Sequence, residues 1–365
     1  MMKFMSMIVG LLFVFAGLQR TTVSAQVTGS VLQAIQERGE LICGVNPGLP
    51  GFSQEIDGDW VGFDVDLCRA IAAAILGDSN AVRFIPVDAA DRSIVLATGE
   101  VDMLARNTTL TLSRDTEWRA RFGPVVFYDG QGIMVRRESG INSLDLLAGG
   151  TICVETATTT ELNMRETLEV RGLPYRLVNP NGDEIFTSEV SDLPQTTVRA
   201  FNSADEMLNT FFENRCDAVT ADLSALAARR SRSDDPGSLS ILDEILSKEP
   251  LAPLSLDSDP AFANVIMWTI FGLIEAEELG ITSQNVTDFV DSEDTRIVRF
   301  LGTGSEVVGD NLGIPNNFMF NVISQVGNYG EIYSRHLGEE TPLGLPRGLN
   351  QLWTEGGLLY SPPFR

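Results

Sequence analysis

The chain is poor in the residues from which metal centres and nucleophilic active sites are built. Its 365 residues hold a single histidine, His336, and four cysteines, Cys43, Cys68, Cys153 and Cys216, with no Cys-x-x-Cys pair. That usage argues against zinc or iron–sulfur ligation. No Gly-x-x-x-x-Gly-Lys phosphate loop occurs. No apolar run approaches the roughly 20 residues that span a bilayer: the run at 7–18 is twelve residues long, and that at 265–274 ends in Glu275-Ala276-Glu277-Glu278. Positive charge is scarce too, with 26 Lys and Arg against 50 Asp and Glu, a formal net charge of −24. This balance argues against nucleic acid and anionic membrane surfaces as partners, and its plain meaning is solubility.

What is present begins with an export signal. Lys3, the apolar core at 7–18 and the small residues Val23-Ser24-Ala25 fit a signal peptide cleaved near Ala25. In an oxidising compartment the four cysteines should form disulfides, and sequence alone permits three pairings. The domain reading below favours Cys43–Cys68 and Cys153–Cys216, one bridge in each half.

Glu40-Leu41-Ile42-Cys43-Gly44-Val45 reads as a strand, followed by a wide loop at Asn46-Pro47-Gly48-Leu49-Pro50-Gly51. Residues 65–77 place apolar side chains three and four apart in an alanine-rich stretch stopped by Gly77, a helix. A strand at 82–87, a helix at about 91–99 and a strand at 101–106 follow, an alternation that indicates a largely parallel α/β sheet. Residues 123–135, two extended runs joined through glycines, suit a crossing between lobes. A second α/β unit starts near Leu144, with strands at 151–155 and 216–220 and helices from Thr158 and at 201–214. A second crossing falls near Lys248-Glu249-Pro250-Leu251-Ala252-Pro253, beyond which helices are expected at 262–279, 286–301 and 317–337. The expected organisation is a signal at 1–25, a first lobe at 26–130, a second at 131–250, and a return to the first at 251–365 with a helical C-terminal extension.

Three polar turns follow strands, where ligands of such sheets bind. In Arg106-Asn107-Thr108-Thr109-Leu110-Thr111-Leu112-Ser113-Arg114-Asp115 the hydroxyls run into an arginine at a helix start. Backbone N–H groups, hydroxyls and a guanidinium fork suit one small carboxylate. An arginine there opposes the helix dipole, which a bound anion would relieve; the plain alternative is a surface pair with Asp115 or Glu117. Thr158-Thr159-Thr160-Glu161 is a capping box whose first-turn N–H groups are free to meet an anion. Thr220-Ala221-Asp222 offers a carboxylate, either to a ligand cation or as the N-cap of a helix at 223–229. Asn107 and Thr109 alternate along an extended segment and should face the same way. Leu49, Phe52 and Thr158 are candidate pocket walls, Leu49 and Phe52 equally good as core. Two anion-holding turns and one cation-holding turn are what a zwitterion needs.

Several segments, taken in order, resemble a known family: Gly62-Phe63-Asp64-Val65-Asp66-Leu67-Cys68-Arg69-Ala70, Arg106-Asn107-Thr108-Thr109, Tyr128-Asp129-Gly130-Gln131-Gly132, Thr158-Thr159-Thr160-Glu161-Leu162-Asn163, Val326-Gly327-Asn328-Tyr329-Gly330-Glu331-Ile332 and Arg347-Gly348-Leu349-Asn350-Gln351-Leu352-Trp353. The chain is similar to periplasmic solute-binding proteins of the polar amino-acid uptake family, which serve ATP-binding-cassette importers, and within it to the general L-amino-acid binding proteins. The resemblance implies the type II periplasmic-binding-protein fold, two α/β lobes each built on a mostly parallel sheet, with two crossing segments as hinge. It implies a monomer without cofactor that closes over one L-amino acid and delivers it to permease subunits. The ligand carboxylate would meet Arg114, Thr109 and Thr159; the ammonium would meet the Asn107 carbonyl and Asp222. Ala157 stands where the family usually has Gly, and Leu49 where it often has an aromatic, which would widen the pocket. No nucleophile and base stand in partnership, and His336 reads as structural, so an enzyme is not expected. Because the fold also hosts dehydratases, a periplasmic lyase is the alternative, and an amino-acid chemosensory module a third.

Overall fold

The computed structural model describes residues 30–188, 192–305 and 308–365; the expected signal segment and its cleavage site lie outside them. Two sheets organise the chain. In the first, Leu41–Val45 is the buried centre, parallel to Val82–Pro86 on one side and Met103–Leu104 on the other. Its five residues are all buried, as a strand covered on both faces requires. Leu254–Leu256 then enters antiparallel between Met103–Leu104 and Ala120–Phe122. In the second sheet, Tyr175–Val178, Thr196–Phe201, Thr151–Glu155 and Ala218–Asp222 form a parallel core. Glu184–Thr187, Phe127–Arg136 and Leu239–Ile241 add antiparallel strands at its margins. Both sheets are thus more mixed than the expected mostly parallel ones. Leu254–Leu256 is where the chain re-enters the first sheet after the second lobe, and Glu184–Thr187 is the return arm of a local pairing with Tyr175–Val178.

Helix Phe63–Leu76 packs its alanine run against the first sheet and against helices Pro260–Glu278 and Phe318–Gln325. It starts at Gly62, whose φ is 139° and whose added Cβ would lie 2.2 Å from the Phe52 carbonyl oxygen. No other residue fits there. Both disulfides are formed as the domain reading favoured. Cys43–Cys68 ties the central strand to this helix, and Cys153–Cys216 ties strand Thr151–Glu155 to the segment just before its neighbour Ala218–Asp222, which starts two residues later than the sequence suggested.

The two lobes are joined by a ribbon. The first four residues of Phe127–Arg136 pair antiparallel with Lys248–Leu251, in the register Gly130 to Lys248 through Phe127 to Leu251. The C-terminal region grips the near end of this ribbon. Asn350 accepts from the Tyr128 N–H at 2.6 Å and donates to the Tyr128 carbonyl at 3.3 Å. The Tyr329 hydroxyl donates to the Val126 carbonyl at 2.7 Å. The expected single helix at 317–337 is two, Phe318–Gln325 and Tyr329–His336, broken at Gly327 with φ 97° and restarted by an Asn328/Glu331 capping box. The stretch 286–301 is likewise a short turn, Val286–Phe289, and a separate helix, Thr295–Leu301. Among the described residues no helix is long and apolar enough to cross a membrane.

Candidate functional site

A cavity of about 60 Å³ lies between the lobes. Each wall is built by local structure. In the first lobe, Thr111 caps the short helix Leu112–Glu117 by accepting the Arg114 N–H at 3.2 Å. The Arg114 guanidinium turns back, donates to the Thr109 carbonyl at 3.0 Å and lies 5.2 Å from the Trp118 ring centre. It is buried, and among the described residues it shows no ion pair with Asp115 or Glu117. Asn107 departs from the extended path expected of it. Its φ is 34°, its N–H is held by the Asp64 carboxylate at 2.9 Å, and its side-chain oxygen accepts from Asn46 at 3.1 Å. Asn tolerates this left-handed conformation better than most residues. Both Asn107 and Thr109 still reach the cavity.

In the second lobe, Thr158 caps helix Thr159–Val170, and Glu161 accepts the Ala157 N–H at 3.0 Å. Ala157 keeps a φ of 58°, the left-handed turn that glycine would make without strain. Its carbonyl accepts from Arg92 at 2.9 Å across the cleft. Asp222 ends strand Ala218–Asp222 and precedes helix Leu223–Ser231, but makes no side-chain cap bond. Asp129, from the hinge ribbon, takes that role by accepting the Ser224 N–H at 3.3 Å and the Ser224 hydroxyl. Asp222 is therefore left facing the cavity, on the side where Asn107 lines it. Leu49, Asn107, Thr109, Arg114, Thr158, Thr159 and Asp222 all line this one space. Phe52 does not. It packs edge-on against Phe63 and Phe127 in the first-lobe core, where its size is better buried than at a polar cleft.

Residues 41–249 match the model of the bacterial extracellular solute-binding proteins, family 3. The chain belongs to that family. It is 40% identical over 340 residues to the general L-amino acid-binding periplasmic protein AapJ of Rhizobium johnstonii, covering 93% of this chain and 94% of that one. It is also 40% identical over 345 residues to the glutamate/glutamine/aspartate/asparagine-binding protein BztA of Rhodobacter capsulatus, covering 94% and 96%. Among solved structures, the ABC transporter/periplasmic binding protein from Brucella ovis with glutathione bound superposes with a TM-score of 0.84 at 40% identity, covering 92% of this chain and 99% of that one.

This solute-binding protein carries at its cleft groups that its sequence did not announce. Glu249, on the returning hinge strand, is buried and accepts four hydrogen bonds. One carboxylate oxygen takes the Thr109 hydroxyl at 2.6 Å and the Thr159 hydroxyl at 2.8 Å. The other takes the Asn163 amide at 2.8 Å and the Ser247 hydroxyl at 2.5 Å. It thus bridges both lobes. Each threonine hydroxyl has one proton and gives it to Glu249, so toward the cavity these oxygens can only accept. Arg92 and Arg106 are buried as well. Arg106 reaches Glu155 of the second lobe at 3.7 Å and donates to the Val87 carbonyl at 2.8 Å. Arg106 opens the polar turn singled out in the sequence, but nothing in the local sequence marked Arg92 or Glu249 beyond ordinary helix and strand positions.

Burial dominates the electrostatics. It draws Arg114 down to about 10, against the attraction of Asp222 and Glu249. It lifts Asp129 to about 6, and it lifts Asp222 well above the usual carboxylate range, helped by repulsion from Asp129 and Glu249. Asp64, beneath the Asn107 turn, is pushed by burial to about 7. A folded carboxyl raised in this way keeps a proton that the unfolded chain, with its pKa near 4, has released. Its stabilising contribution is complete below about pH 4 and is lost as pH rises through about 7. Asp64→Asn removes this component. Urea midpoints should therefore favour the variant more at about pH 8 than at about pH 4.5, whereas parallel profiles would count against the assignment.

Proposed function

We propose that this protein captures one free L-amino acid by closure of its lobes and hands it to an ATP-binding-cassette permease. The observation that carries this reading is that Arg114 and Asp222, from different lobes, line one cavity. Each lobe alone offers half a zwitterion site, so the ligand stabilises the closed state through contacts that exist only there. In this reading Arg114 and the N–H groups at the start of helix Thr159–Val170 hold the ligand carboxylate. Asp222 and the Asn107 carbonyl hold the ammonium, with the oxygens of Thr109 and Thr159 as further acceptors. The reading includes lobe boundaries near 130 and 250, export with cleavage near Ala25, and a monomer in the periplasm. The names of AapJ and BztA support the amino-acid class. The glutathione in the Brucella ovis relative makes that tripeptide a second ligand to test.

A thermal-shift screen of desalted protein across the twenty amino acids and glutathione, followed by calorimetry of the hits, tests the proposal. Saturable binding of amino acids without turnover supports it; no shift with any of them, or product formed from prephenate-like acids, overturns it. Asp222→Asn should weaken binding by about thirtyfold or more, because it removes the charge opposite a desolvated ammonium. Wild-type affinity should also fall on acidification, since protonated Asp222 attracts the ammonium less. An affinity that does not change on acidification would contradict that role.

A further inference from the structure

Both lobes converge on one side chain that lies behind the cavity. Glu249 is 1% exposed, and neither it nor its donors Ser247 and Asn163 line the cavity. Its strand is stitched to the first-lobe turn: the Leu110 N–H donates to the Pro250 carbonyl at 2.8 Å, and the Ala252 N–H to the Thr108 carbonyl at 3.0 Å. Thr109 and Glu249 therefore move as one unit. The residues just before Glu249 are tied to the other side, where the Leu246 N–H donates to the Gln131 carbonyl at 2.9 Å. From the second lobe, helix Thr159–Val170 brings two donors one turn apart, Thr159 and Asn163, to this carboxylate. Oxygen Oε2 takes the hydroxyls of Thr109 and Thr159, one from each lobe, and those hydroxyl oxygens lie 3.3 Å apart. A carboxylate oxygen offers two lone pairs, and both are occupied by this shared grip.

We infer that Glu249 is the latch of the closed state, a positioning residue that holds a threonine of each lobe on one oxygen and so sets how slowly a bound ligand is released. This rests on the capture-by-closure reading above and adds to it the group that keeps the jaws shut. Opening parts Thr109 from Thr159, and one oxygen cannot follow both. A buried anion must then give up a donor. Its hydrogen bonds are about twice as strong as neutral ones, and leaving its acceptor capacity unmet is costly. Because the carboxylate does not line the cavity, this resistance is the same for every ligand side chain. Glu249 also attracts the Arg114 guanidinium, so removing its charge acts on the ligand carboxylate too. Asn163 separates the two roles. Its loss takes a second-lobe donor from Oε1 and leaves every charge in place.

Stopped-flow association and release of L-glutamate and L-glutamine, on the wild type, Glu249→Gln and Asn163→Ala, test this. Release should quicken about tenfold or more in Glu249→Gln and about threefold or more in Asn163→Ala. Association should be unchanged in Asn163→Ala, and its effect should be equal for the two ligands. A folded Asn163→Ala protein that releases both at the wild-type rate, or a change confined to one ligand, overturns the inference. Should Glu249→Gln fail to fold, Asn163→Ala decides alone. Spin labels on exposed Glu55 and Glu213, one in each lobe, give a second readout on the ligand-free protein. Absence of binding by the wild type would count against the capture reading and not the latch, and the label distances would then decide. A short-distance population that the variants lose supports the latch, and identical distributions overturn it.

Discussion

Arg114→Ala should lower amino-acid affinity by about two to three orders of magnitude. The guanidinium is buried, anchored to the Thr109 carbonyl and braced on Trp118, so it meets a ligand with little left to order. Truncating one partner of a desolvated charge pair costs about 3–5 kcal/mol, much of it from stranding the other charge. The fold should tolerate the change, because the Thr111 cap uses the backbone N–H of residue 114 and not its side chain. Removing a buried cation that lacks a carboxylate partner could even raise the stability of the ligand-free protein. Calorimetry beside a denaturation curve separates the two effects. Near wild-type affinity in a folded Arg114→Ala protein would remove the carboxylate site from this cleft.

The second large effect concerns stability. Replacing Cys153 and Cys216 by serine should cost about 4 kcal/mol, more than the same change at Cys43 and Cys68. The bridges close loops of 63 and 25 residues. In the chain-entropy view the longer loop restrains the unfolded chain more, by roughly 0.8 kcal/mol. All four cysteines are buried, so a serine hydroxyl adds a desolvation cost at either bridge and the loop length makes the difference. Guanidinium unfolding of the two double variants, each followed by a probe in its own lobe, measures the difference. An unchanged second-lobe midpoint without Cys153–Cys216 would refute the prediction.

Much of the fold was readable because it rests on local rules. The alanine-rich helix ended where Gly77 takes a φ of 74°, and Thr158 capped its helix as the Thr-x-x-Glu spacing implied. Charged partners at the cleft, by contrast, are set by the third dimension. Glu249 sits beside Pro250 in a strand whose sequence signals only a crossing. Its four donors come from Thr109, Thr159, Asn163 and Ser247, brought together by the sheets alone. Arg92 opens an unremarkable short helix, and its burial follows from packing against Trp118 and the opposite lobe. Asn107 shows the limit from the other side. Alternation predicted its direction, but a left-handed backbone delivered it. Phe52 was ambiguous in sequence, since an aromatic near a loop suits a core as well as a cleft. The break at Gly327 was legible in principle, because Asn328 and Glu331 have the spacing of a capping box.

The grip of Asn350 and Tyr329 on residues 126–128 has a mechanical meaning. With one end of the connecting ladder clamped to the larger body, the fulcrum must lie just past it, at Asp129 through Gln131 and their partner strand. The second lobe then swings as a lever about a point where Asp129 and Glu249 stand opposite each other. Neutralising either of those acids would retune the swing and, through the Thr109 and Thr159 hydroxyls and Asp222, the grip on the ligand with it.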